Sequence, residues 1–408
     1  MLIDRDSPCP LAFEDSVMFR RTLSICLGLA LLAAGAMVSL ACPFCSAPSL
    51  TLCEQLNMSD AAVLVQWESG LPADREKAFL GSTDYTVLKV VHDSSGALKP
   101  GGTVHLDRYR ASKAGDMFLL LGTKMTELEW GSPLEVTDTS FNYITQAPSK
   151  EVPATERLAY FVKFLEFSDQ IVADDAYGEF ANAQYKDIVA VKDKFPREKL
   201  REWLANPQTV PSRLGLYGLM TGLSGTEADA EYLKGRLLEP VEGFRLGIDG
   251  MMGGYLLLVG EKGLEVLEDA KLRSKTVPFS ETYATMQALR FMWTYGDERI
   301  SKDRLRQSMR IILDRPELAD LVIVDLGRWQ DWSVADRLME LYGTAGYDIP
   351  STKRAIVRFY LTMEAAKPKD AKEPFPEHVV AAQKHLKTLR EKDPETVKAA
   401  EEFFFLNF

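Results

Sequence analysis

The chain has 408 residues, enough for two or three domains, and its composition of 46% hydrophobic and 26% charged residues excludes wholesale disorder. A formal net charge of -11 without any basic block excludes nucleic-acid binding by phosphate neutralisation. Four His and five Cys leave little material for a metal centre, and no cofactor is expected.

The N-terminus reads as an address. Residues 23–41 carry no charge, follow Arg20 and Arg21, and end in Ser39-Leu40-Ala41. A positive flank, an apolar run and small residues at the cleavage positions predict a signal peptide over 1–41, with a mature chain starting at Cys42. Residues 1–17 are acidic and oppose a positive flank, whereas Met18 is followed directly by Phe-Arg-Arg, so a start at Met18 is expected. Two other readings stay open: an uncleaved membrane anchor, since the apolar run is just long enough to span, and a lipid on Cys42. Every version places the mature protein outside the cytosol, in the periplasm or beyond. Membrane contact is expected only through that anchor or lipid, because the remaining chain is acidic.

Three cysteines follow: Cys42, Cys45 and Cys53. In an oxidising compartment they are disulfide candidates, with one thiol left over. Cys42-Pro43-Phe44-Cys45 is a CxxC, which suggests redox chemistry or metal binding. A redox CxxC sits between a strand and a helix start, whereas this one is expected at the N-terminal end of the mature chain. No Cys/His set completes a zinc site. The simplest expectation is a small staple that holds the N-terminal segment to the first domain.

Strand signals then dominate. AAVLVQW at 61–67 reads as a buried strand, and TDYTVLKVVH at 83–92 alternates. A Lys-Pro-Gly-Gly turn at 99–102 leads into TVHLDRYR at 103–110, and GDMFLLLG at 115–122 reads as a central strand. Residues 134–136 and 141–144 are expected as short edge strands. His92 and His105 fall on neighbouring strands, where they meet only if the ladder register brings them together.

A cysteine-containing start, a short helix, SDAAVLVQW, YTVLKVV, LKPGGTVHL and GDMFLLLG together resemble the netrin/tissue-inhibitor-of-metalloproteinases module over residues 42–145. The resemblance implies a five-stranded OB-like barrel. In the inhibitors of that family, the amino group and carbonyl of the first Cys chelate a protease zinc, and Cys42 would take that position. The later cysteines that anchor it in the family are missing here.

From Pro153 apolar residues recur at helical spacing. Stripes include RLGLYGLMTGL at 213–223, FRLGIDGMMGGYLLLV at 244–259, TMQALRFMWTY at 285–295, LADLVIVDLGRW at 318–329 and KRAIVRFYLTM at 353–363. The more apolar segments recur every 32–40 residues, near Ala176, Leu216, Gly250, Leu289, Val324 and Ile356. The array resembles HEAT-like repeats over 153–368. The Lys/Pro/Glu-rich stretch after it opens a C-terminal helical cap over 369–408, ending in a very apolar run.

Two phosphate- or nucleophile-loop echoes have the wrong spacing: GYLLLVGEK at 254–262 reads as a helix turn and GLSG at 222–225 as a helix C-cap. Two clusters remain as partner-binding candidates. Asp175 and Glu179 share a helix face at i,i+4 and repel unless a cation compensates. Arg328, Trp329 and Trp332 form a polar-aromatic group with Asp325 and Asp331, of the kind enriched in binding hot spots. The expectation is an α+β multidomain chain: an OB-like β domain over 42–150, the HEAT-like α-solenoid over 153–368, then the cap. Its expected function is non-enzymatic binding of a protein or peptide partner in the cell envelope. The alternatives are metalloprotease inhibition through Cys42 and an envelope CxxC redox protein.

Overall fold

A computed structural model describes residues 42–46, 50–76, 78–240, 243–367, 374–402 and 404. The signal peptide expected over 1–41, with its alternatives of anchor and extension, lies outside the described residues, as does most of the apolar run after 402. The described residues belong to one compact unit. Its architecture is α+β: an antiparallel sheet near the N-terminus, followed by 16 α-helices. No described helix is long and apolar enough to cross a membrane.

A short helix, α1 (Leu52–Met58), precedes the sheet, and Thr51 and Glu54 close a capping box at its start. The strands are β1 (Ala61–Leu71), β2 (Ser82–Asp93), β3 (Thr103–Leu106), β4 (Met117–Lys124), β5 (Leu128–Trp130) and β6 (Leu134–Val136). Their order is β3-β2-β1-β4, with β5 and β6 both paired to β4. Central β1 is apolar on both faces because both are covered. Val63 and Val65 join Tyr85, Val87, Phe118 and Leu120 in a small core. Leu64 and Leu119, on the other face, belong to the main core of the helices. Three register shifts along the β1–β2 ladder bend these long strands.

The sheet does not close by strand pairing. β3 ends at Leu106 instead of running to residue 110, and Arg108 reaches across to the Trp130 and Gly131 carbonyls beside β5. A guanidinium thus bridges two edges that a barrel would join by a ladder.

Residues 141–144, expected as an edge strand, are helical: they lie within α2 (Asp138–Gln146). Thr137 accepts from the Ser140 amide while the Ser140 side chain accepts from the Thr137 amide, a reciprocal cap that commits the segment to a helix. Phe141 and Ile144 then fall one turn apart and are both buried.

The remaining helices are α3 (Ala154–Phe161), α4 (Gln170–Ala181), α5 (Tyr185–Ala190), α6 (Arg197–Ala205), α7 (Leu214–Ser224), α8 (Glu227–Leu238), α9 (Ile248–Val259), α10 (Glu261–Leu267), α11 (Phe279–Tyr295), α12 (Lys302–Ile311), α13 (Ala319–Arg328), α14 (Ala335–Leu341), α15 (Pro350–Ala365), α16 (Glu377–Lys392) and α17 (Pro394–Glu402). Among them α7 packs on α9, α9 on α11, α13 on α15 and α15 on α17. The α7/α9 contact is the tightest, and glycines explain it. A Cβ at Gly222 would overlap Gly254 Cα, and one at Gly254 would overlap Gly218 O. These two segments thus carry glycine for close backbone approach, the use that the phosphate-loop and nucleophile-loop echoes had obscured.

Buried ion pairs tie successive helices. Glu281 on α11 holds Arg245 and Lys271, and Asp325 on α13 holds Arg290. Glu268 opens a π-turn (Glu268–Leu272) after α10 and holds Arg304 on α12. The Arg245–Glu281 and Arg304–Glu268 bonds each span 36 residues, and Arg290–Asp325 spans 35.

Candidate functional site

The two residue clusters singled out above have opposite fates. Asp175 and Glu179 lie on the inward face of α4, 6% and 5% exposed. Asp175 accepts from the Leu52 amide at 2.5 Å and from the Tyr143 hydroxyl at 2.9 Å. Glu179 accepts from Thr51 Oγ1 at 2.6 Å and pairs with Arg157 of α3. The first turn of α1, the middle of α2 and the face of α4 are therefore pinned together by two carboxylates with one cation between them. Burial pushes the Asp175 carboxyl up to about 6, against the pull of the Leu52 and Tyr143 hydrogen bonds, and the Glu179 charge adds to the rise. Glu179 is raised as well, again chiefly by burial. Cys53 sits in the same place with its thiol on the Pro148 carbonyl. Burial and the Glu179 charge lift that thiol to about 11, which keeps it protonated and poorly nucleophilic.

The second cluster is split by the start of the turn after α13. Asp325, Trp329 and Asp331 face inward. Asp325 takes Arg290, Asp331 takes Arg310 through two bonds, and Trp329 stacks on Trp293 with ring centroids 4.3 Å apart. Arg328 and Trp332 face outward into a groove of about 780 Å³ between α13 and α15. Val324, Arg358, Phe359 and Phe404 also line it. Trp332 is held edge-on against Phe359 and parallel to the His378 ring. Neither Arg328 nor Arg358 has an ion-pair partner among the described residues, and the buried Nε of Arg358 has no hydrogen-bond acceptor.

Sequence reasoning passed over Arg358 and Phe359 because they lie on α15, some 30 positions from the cluster around Arg328. A signal was present: Arg354 and Arg358 are like charges at i,i+4, with no acidic residue between them in RAIVRFY.

Cys42 and Cys45 are joined in a disulfide, and Cys53 is free. The loop they close is seated on the helices and not on the sheet. The Cys42 amide donates to Ala181 O, and Phe44 packs on Phe291 at 4.7 Å beside Gly253. Cys42 is 4% exposed. His92 and His105 do not meet: His92 lies opposite Ala62 and donates to Ser59 O, while His105 lies opposite Asp84 and pairs with it at 2.6 Å. Among the described residues no three His, Cys, Asp or Glu stand where they could share a metal ion.

The chain matches no protein-family model, no curated protein and no solved structure.

Proposed function

We propose that this chain is an exported, non-enzymatic binding protein of the cell envelope, in which an OB-like sheet is fused to a HEAT-like stack and a surface groove of the stack receives a protein partner. The observation that carries the reading is the α13/α15 groove: an apolar floor with two guanidinium groups that no described carboxylate contacts at ion-pair distance. Elsewhere in the helices the buried carboxylates of Glu281, Glu268 and Asp331 are paired with cations, so those groups are committed to holding helices together. Support for a stacked-repeat architecture comes from cross-helix bonds that recur at separations of 35–36 residues, inside the 32–40 spacing of the apolar segments. A stack of this kind offers a long surface, and concave helical surfaces suit extended partners. The Arg108 bridge across the sheet edges supports an OB-like ancestry for the first domain.

Two observations weigh against the alternatives. A zinc-chelating first residue needs a free amino group and carbonyl at the surface, whereas Cys42 is buried and its backbone nitrogen bonds to Ala181 O. A catalytic CxxC needs an accessible attacking thiol, usually the first of the two, and here that residue, Cys42, is buried while Cys45 is partly exposed.

The test is site-specific photo-crosslinking in the envelope of the expressing cell. A photoreactive residue at Val324 in the groove is compared with one at Leu88 on the sheet, a position that is also exposed. The expected result is a discrete protein adduct from position 324 and none from position 88. Adducts from neither position, or an intact chain recovered only in the cytosol, would remove the proposal.

A further inference from the structure

The groove carries more information than its shape. Arg358 sits on α15, half-buried, and its Nε is sealed from solvent without an acceptor. Two other guanidinium groups, Arg157 and Arg213, also have an unpaired Nε, but each of those already holds a carboxylate. Arg358 holds none among the described residues, and neither does Arg328 across the groove on α13 or Arg354 one turn back on α15. In a chain of net charge -11, Arg328 and Arg358 face one groove with no carboxylate at ion-pair distance among the described residues, Arg328 feeling Asp325 only from farther off, while acidic residues are in excess. A buried donor without an acceptor is destabilising, and like charges at i,i+4 add to the cost. Both costs disappear when a carboxylate enters, because the planar fork of arginine takes a carboxylate through two parallel bonds.

Apolar surface in the same groove narrows the ligand. Val324 is exposed on α13, and Phe359, Trp332 and Phe404 line the opposite side and the end. A small inorganic anion would satisfy the arginines and leave this surface wet. A nucleic acid would meet an acidic molecule with a few isolated cations. An aliphatic or aromatic side chain with a carboxylate on each side matches both features. The guanidinium groups stand on two different helices, which suits carboxylates separated along an extended chain.

We propose that the α13/α15 groove binds an extended partner peptide in which a large apolar side chain lies between two acidic side chains. This rests on the binding reading above and names the partner's chemistry.

The experiment is fluorescence anisotropy on the full chain with labelled peptides of sequence Gly-Glu-Leu-Phe-Glu-Gly, its Gln-for-Glu counterpart, and a Ser-Ser version that keeps both Glu. The acidic-apolar peptide is expected to bind at least ten-fold more tightly than either control. Arg358→Met, which keeps the apolar stem, is expected to weaken it ten-fold or more, and Arg328→Met, more exposed, about three-fold. Binding should weaken as salt rises. Circular-dichroism melting of both variants at wild-type temperature confirms that the fold is intact. Equal affinity for the Gln peptide, wild-type affinity in the Arg328→Met/Arg358→Met double variant, displacement by equimolar inorganic phosphate, or no binding of the acidic peptide overturns the proposal. So does a Val324 photo-adduct that maps to the chain's own residues after 404, since the groove would then be filled from within. A partner adduct from position 324 together with peptide failure leaves the binding reading standing and removes this one.

Discussion

Among the like-charged i,i+4 pairs on helices of this protein, Asp175/Glu179 on α4 and Arg354/Arg358 on α15 are treated differently by the fold. The acidic pair is enclosed. Segments far away in sequence bring it donors: Thr51 and Leu52 from the N-terminal lead, Tyr143 from α2 and Arg157 from α3. The basic pair lies beside an open groove, and no described residue brings it an acceptor. Repulsion along one helix is the same local problem in both places. What differs is whether the tertiary structure solves it internally, and that difference separates a closed carboxylate clamp from a basic pair left beside a groove.

The comparison breaks most visibly if the clamp is not needed. Arg157→Met removes the one cation from the acidic pair and strands Glu179 at 5% exposure. Removing one partner of a buried ion pair costs about 3–5 kcal/mol. Urea unfolding is expected to show a loss of that size at neutral pH, recovered in part by Glu179→Gln in the same chain, since the amide has no charge to strand. A loss under about 1 kcal/mol would mean that water already solvates the pair.

A somewhat smaller effect comes from Asp175, and its sign is diagnostic. Its carboxyl titrates near 6 in the folded chain and at 3.8 unfolded, so the native state holds the proton more tightly. Stability from this group is therefore full below the unfolded value and is lost as pH rises from about 4 through 6. A shift of about two units corresponds to about 3 kcal/mol. Asp393 works the other way: Lys353 and Tyr342 hold it near 2, so its contribution is present above the unfolded value and lost as pH falls. The readout is accordingly a difference. Wild type should lose about 3 kcal/mol relative to Asp175→Asn between pH 4 and 7 in chemical denaturation. Parallel pH profiles for the two chains would show that Asp175 is as well solvated folded as unfolded.

The division between clamp and groove was only half legible in the sequence. Period-two and period-3.6 patterns locate β1, β2, β4 and the apolar helices because those elements face a core on a defined stripe. Outer helices α8 and α12 escape, since each buries only three residues, with polar side chains elsewhere. Residues 141–144 mislead in another way: Phe-Asn-Tyr-Ile alternates like a strand, and the deciding information is a cap at Thr137 that lies outside the window. Asp175 and Glu179 show up as a charged pair, but their partners are 22 to 128 residues away, and nothing local says that Thr51 will be one of them. Arg328 and Trp332 are visible as a cluster with Trp329. Which of the three turns inward depends on how α13 ends: the Trp329 amide closes the last turn on Asp325 O, and this places the Trp329 ring on Trp293 while Arg328 and Trp332 remain at the groove.

The smallest expected effect is the sharpest test of the contrast. If the arginines of α15 served the fold as Arg157 does, truncating Arg358 would destabilise by several kcal/mol. The groove instead leaves Arg358 with a sealed Nε and no counter-charge, so the native state carries an unmet donor that Arg358→Met removes. Methionine keeps an unbranched stem beside the groove and relieves the like charge at Arg354. The balance predicts a stability change within about 0.5 kcal/mol of zero, or a gain of up to about 1 kcal/mol, in urea unfolding without ligand. A loss of 3 kcal/mol or more would place Arg358 in the same class as Arg157 and erase the distinction between the two pairs.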